Sequence, residues 1–120
     1  MSIIRNSEIV EVKGREGSKI KNYFQPENTK NEIKFSLSHF TLEPGKKTFL
    51  HKLQSSEVYF ILEGCGVLKI NENSFEVQKD DSVYVPSMAE QTIENTGDKD
   101  LKFLCIVEPA WKEENEIVLE

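Results

Sequence analysis

Two side chains able to do acid–base or ligand chemistry, His51 and Glu57, lie close together in the stretch Pro44-Gly45-Lys46-Lys47-Thr48-Phe49-Leu50-His51-Lys52-Leu53-Gln54-Ser55-Ser56-Glu57. An imidazole changes charge near neutral pH and can serve as base, acid or ligand. Glu57 opens the run Val58-Tyr59-Phe60-Ile61-Leu62, apolar on both faces of a strand. A carboxylate in such surroundings is desolvated and needs a partner or a proton. Tyr59 shares the Glu57 face, because side chains two apart in a strand point the same way. It would add a phenolic hydroxyl to the same pocket. Farther along, Ala89, Gln91, Ile93 and Asn95 alternate with Glu90, Thr92 and Glu94. Burying an amide that can find partners costs less than burying two carboxylates and a hydroxyl, so Gln91 is expected to point inward.

These residues suit two kinds of chemistry. A few polar groups in an apolar pocket are what a small-molecule site requires. Alternatively, Glu57 on a strand next to His51 could orient the imidazole as a general base. Tyr59 or Gln91 would then donate to a developing oxyanion, an arrangement suited to metal-free isomerisation or epimerisation. The catalytic set in that case is His51, Glu57 and Tyr59.

The elements that must hold these groups are strands. Residues 33–42 alternate strictly, with Ile33, Phe35 and Leu37 on one face and Lys34, Ser36 and Ser38 on the other. Short strands are expected at 8–13, 19–24, 47–53, 57–63, 65–71, 74–79, 82–85, 89–95 and 101–108. Turn signals fall between them, among them Gly14-Arg15-Glu16-Gly17, Asn71-Glu72-Asn73 and Asn95-Thr96-Gly97-Asp98. No stretch keeps a helical period. Many short strands with regular turns imply an all-β sandwich or barrel. His39 is expected to be a satisfied core histidine, and Trp111 to pack on the outside of the barrel or on a partner chain.

In Gly45, His51, Glu57 and Gly64 the chain resembles the first motif of the cupins, with Leu53 where the second histidine of that motif stands. Pro86 and Asn95 resemble the second motif, in which Asp80 and Met88 replace glycines and Gln91 replaces a histidine. The resemblance implies an all-β fold, the jelly-roll-like double-stranded β-helix barrel, as one domain over 1–120. Its core would span about 33–109, with N-terminal strands in 8–24 and a tail at 110–120. It implies a pocket lined by His51, Leu53, Glu57, Tyr59, Met88 and Gln91, with Met88 narrowing the mouth. The ligand would be a sugar, a sugar acid or a short carboxylate, and the protein a homodimer. A divalent metal, if held, would be held weakly by His51, Glu57 and Gln91, since Leu53 cannot coordinate and an amide oxygen suits only hard cations. That alternative is an enzyme of dioxygenase or isomerase type.

Composition excludes other classes. A net charge of −6 argues against nucleic-acid binding, which relies on Lys and Arg against phosphate. No run approaches the length of a membrane span, and residues 1–6 lack the apolar core of a secretory signal, so a cytoplasmic location is expected. Cys65 and Cys105 are too few for a disulfide framework.

Overall fold

The computed structural model describes residues 2–120, and nearly all of its regular structure is strand. Eleven strands follow one another: β1 (Val12–Lys13), β2 (Lys19–Asn22), β3 (Ser36–Leu42), β4 (His51–Leu53), β5 (Ser56–Glu63), β6 (Cys65–Ile70), β7 (Asn73–Gln78), β8 (Ser82–Val85), β9 (Gln91–Asn95), β10 (Leu101–Glu108) and β11 (Glu116–Val118). They form two antiparallel sheets, six-stranded in the order β1-β2-β3-β10-β5-β8 and five-stranded in the order β11-β4-β9-β6-β7. The all-β barrel expected from the sequence is present.

Alternation decides which side chains face inward. Along β5 and β10, Glu57, Tyr59, Ile61, Leu101, Phe103, Cys105 and Val107 are buried while Val58, Phe60 and Ile106 are exposed. Burial of a large apolar side chain contributes roughly 1.5–3 kcal/mol, and Ile61, Leu68 and Leu101 are completely enclosed. Phe103 stacks on Phe40 at 5.3 Å and leans against Tyr59 at 5.2 Å, joining three strands of one sheet. The β5–β6 connection turns on Gly64, whose φ of +84° suits only glycine, and a Cβ there would come within 2.7 Å of the Asp100 carbonyl.

Several expectations change. In β3 the polar row, Ser36 and Ser38, lines the interior with Phe40 and Leu42, while Leu37 and His39 face outward. The reason is that this end of the barrel encloses a cavity rather than packed side chains, so hydroxyls are tolerated there. His39 is half-buried on the outer face and its Nδ1 has no partner among the described residues. Burial, with help from Lys102 and Lys21, lowers its pKa. The segment 110–120 is not a loose tail. Its β11 pairs antiparallel with β4, Glu116 opposite Leu53 and Val118 opposite His51. β4 and β5 are not neighbours either, since they belong to different sheets.

Asn95 ties the cavity-free end together. Its Nδ2 donates to the carbonyls of Leu42 and Lys99 at 2.8 and 2.7 Å, and its Oδ1 accepts from the Gly97 N–H at 2.9 Å. The residue is 1% exposed. Asn95→Ala leaves buried groups unpaired at about 1–3 kcal/mol each. Denaturant unfolding of that variant should show a loss of about 2–4 kcal/mol, and a loss below about 1 kcal/mol would contradict this role.

Candidate functional site

The interior between the sheets holds a cavity of about 200 Å³. Its walls are mostly apolar, with Phe40, Leu53, Ile93, Phe103 and Val107 among them, and its polar lining includes His51, Glu57, Tyr59, Glu16 and Glu116. These groups come from four separated parts of the chain, with Glu57 and Tyr59 sharing β5.

His51 stands at the start of β4, in the five-stranded sheet, and is 4% exposed. Its Nδ1 lies 2.7 Å from the carbonyl oxygen of Phe49. A carbonyl only accepts, so Nδ1 carries the proton, and in the neutral ring Nε2 is a bare acceptor. Nε2 has no protein partner and faces the cavity. Glu57 faces it from β5, in the six-stranded sheet. The expected base–orienter pair is therefore not formed. The Phe49 carbonyl orients the imidazole, because two residues of local chain reach it more directly than a side chain on the opposite sheet.

Glu57 has other partners. Gln91, opposite His51 in the β4–β9 register, reaches across the interior and donates from Nε2 to Glu57 Oε1 at 3.0 Å. The Tyr59 hydroxyl donates to Gln91 Oε1, and the Cys105 thiol lies close enough to the Glu57 carboxyl to influence its ionisation. Gln91 points inward, as the alternation of 89–95 implied, and is 1% exposed. Burial raises the pKa of Glu57, against smaller opposing effects of Cys105, the Gln91 bond and the His51 charge. Burial beside that carboxylate drives the Tyr59 and Cys105 pKa values well up, so both stay protonated.

Two acids that sequence reasoning missed complete the lining. Glu16, in the turn between β1 and β2, is buried, with the Ser18 hydroxyl 2.7 and 2.9 Å from its two carboxyl oxygens. Burial raises its pKa, and the charge of nearby Glu116 adds to the rise. Glu116 arrives on β11. Arg15 Nη1 donates to the Glu113 and Glu116 carbonyls at 3.1 and 3.4 Å, joining the first turn to the last strand. The only available signal was the β-branched pair Ile117-Val118 after an acidic stretch, which marks a short strand. Nothing in a Gly-Arg-Glu-Gly turn announces a buried carboxylate. Trp111 is 44% exposed and also borders the cavity, its backbone N–H on Ser36 Oγ. Met88, expected at the mouth, is 44% exposed with φ +68° and does not line the cavity. Its left-handed backbone in the turn before β9 directs it to solvent.

The comparisons decide the family. The profile of the cupin domain matches residues 38–107. The chain belongs to the cupin family. It is 38% identical over 107 residues to an uncharacterized protein of Methanocaldococcus jannaschii, covering 88% of this chain and 85% of that one. Over 67 residues it is 37% identical to an oxalate-binding protein of Thermotoga maritima, a match spanning 55% of either chain. Among solved structures, one described as a predicted oxalate decarboxylase from Thermotoga maritima superposes with a TM-score of 0.75 at 29% identity. That superposition covers 89% of this chain and 98% of that one.

For a metal of the kind many cupins hold, the residues present do not fit. Of the four positions that the motifs would supply, Leu53 is apolar, and both ends of the Gln91 amide are taken by Tyr59 and Glu57. Among the described residues no three His, Cys, Asp or Glu side chains are grouped so as to hold an ion.

The pH dependence of stability follows from Glu57. The folded protein holds its proton more tightly than the unfolded chain, where the ordinary value is 4.5. Burial penalises the ionised form, so stability falls as pH rises from about 4.5 through the raised folded value. Glu16 acts with the same sign. Denaturant unfolding should find Glu57→Gln more stable than the wild type near neutral pH, the gap closing below about pH 4.5. A less stable variant at neutral pH would reverse the assignment.

Proposed function

We propose that this cupin binds a small organic molecule in the barrel cavity, between His51 on one sheet and Glu57 on the other. The observation that carries the reading is the imidazole Nε2, on a ring that is almost wholly enclosed, without a protein partner and open to the cavity. An imidazole nitrogen held toward an enclosed apolar volume with no protein partner is available to a ligand or to water. The Tyr59–Gln91–Glu57 chain would hold the polar floor rigid, and Leu53, Phe103 and Val107 would enclose an apolar body. The name of the oxalate-binding relative supports a small ligand in this family. In this reading residues 1–120 act as one unit, since the turn at 14–17 and β11 both wall the cavity. No reaction is assigned. The dioxygenase and isomerase alternatives lose, respectively, their metal donors and their His51–Glu57 pair.

The reading is tested by thermal shift across a metabolite panel. A true ligand at a hundredfold excess over its Kd adds about 2.7 kcal/mol of stability. His51→Ala should weaken that shift and Val107→Phe, which fills the cavity, should abolish it. A shift that survives both variants, or no shift from any compound, would overturn the reading.

The homodimer expected from the sequence belongs to the same proposal. On the outer face of the six-stranded sheet, register sets Leu37 beside Ile106, Ile106 beside Val58 and Val58 beside Tyr84. Val58, Phe60, Tyr84 and Ile106 are all exposed there, and a contiguous apolar row supports a protein contact. Sedimentation equilibrium should return twice the 13.8 kDa chain mass, reduced to one chain by Val58→Glu with Ile106→Glu. A wild type that sediments as one chain at micromolar concentration would refute it.

A further inference from the structure

The cavity walls carry a lopsided set of hydrogen-bonding groups. Three carboxylates line it, Glu16, Glu57 and Glu116, and each is at least nine-tenths buried. Several hydroxyl donors beside them are committed, Tyr59 to Gln91, Ser18 to Glu16 and Ser38 to Asn22, while Ser36 Oγ accepts from the Trp111 N–H and keeps its own proton free. The Gln91 amide gives one of its two protons to Glu57. His51 offers a second kind of acceptor, since the Phe49 carbonyl takes its Nδ1 proton and leaves Nε2 bare. Two cations touch the lining, Lys13 and Arg15, and both are exposed at its edge. Arg15 is further occupied by the Glu113 and Glu116 carbonyls.

The interior thus presents mostly acceptors and negative charge, with its only lining cations, Lys13 and Arg15, exposed at the edge. Carboxylates out of water and unpaired with a cation are costly, and a ligand that supplies positive charge gains what the protein has left unmet. An anionic ligand meets like charge in a low-dielectric space, with the Ser36 hydroxyl and the Trp111 indole among the few donors open to it. The remaining wall is aromatic and aliphatic, Phe40, Phe103 and Ile93 among it, which suits an apolar body and adds the attraction of ring faces for a cation.

We infer that the ligand is a small organic ammonium, a primary amine on a compact apolar body, drawn by the buried carboxylates Glu57, Glu16 and Glu116 and offered His51 Nε2 as a further acceptor. A primary ammonium has three donors and no acceptor, the complement of these walls. At about 200 Å³ the cavity has room for a ring, since a cavity of about 150 Å³ admits benzene. The inference rests on the small-molecule reading above and adds the sign of the ligand's charge. It also separates this chain from relatives named for oxalate, a dianion.

The test uses one shape with three charges: benzylamine, benzyl alcohol and benzoate, with oxalate as a fourth probe. Full-length protein dialysed against a chelator is titrated calorimetrically and by thermal shift at about pH 8. Benzylamine should bind and raise the melting temperature, while benzoate and oxalate should do neither. Glu57→Gln, a stabilised fold, should weaken benzylamine about tenfold or more, the loss of one charge-assisted hydrogen bond. Glu16→Gln should act in the same direction, and Val107→Phe should remove binding. If benzoate, oxalate or benzyl alcohol binds more tightly than benzylamine and Val107→Phe removes it, the cavity reading stands and the charge inference falls. If the benzylamine affinity is unchanged in both Gln variants, the charge inference falls as well. If none of the four probes binds, the charge inference falls, while the metabolite panel still decides the cavity reading.

Discussion

The hydrogen-bonded chain Tyr59–Gln91–Glu57 is the constraint on which the cavity depends. Tyr59 and Glu57 belong to β5 in one sheet, and Gln91 to β9 in the other. Two sheets that enclose a void lack the interdigitated side chains that normally fix their separation. A fully satisfied polar bridge supplies that spacing by geometry rather than by volume. It also explains why a glutamine serves well here. An amide can accept from a phenol and donate to a carboxylate at once, which neither an aliphatic side chain nor a second carboxylate can do.

The same bridge separates the roles of the two conspicuous residues. His51 and Glu57 look like a catalytic pair when written on one line of sequence, yet the chain between them changes sheets. Facing each other across open volume, they are opposite walls of one space. The imidazole is set by its own backbone and the carboxylate by the bridge, so each is held independently and a guest can touch both without disturbing either.

Most of the barrel was legible in the sequence because a strand states its inner face every second residue. The alternation of 89–95 placed Gln91 inward, and the placement of β5, β6, β8 and β10 followed from apolar runs bounded by turn residues. β3 misled for a physical reason. Its apolar row was read as the buried one, but that rule holds only where the interior is packed, and beside a cavity Ser36 and Ser38 are the inner row. Glu16 and Glu116 were not legible at all. Their burial depends on the Arg15 contacts between segments about a hundred positions apart, and no local pattern encodes such an approach. Met88 failed because its position came from a motif glycine, whose backbone conformation it keeps while its side chain turns away.

Those Arg15 contacts span 98 and 101 positions of sequence, among the longest closures available to this chain. Bringing such distant segments together carries the largest loop entropy, and the elements it joins, β1 with two residues and β11 with three, have little burial of their own to offset it. The wall over the cavity is therefore the last part of the molecule to assemble and the first to open, while the strands around Phe103 remain closed. Local opening of β1 and β11 would expose the interior while the barrel strands stay closed.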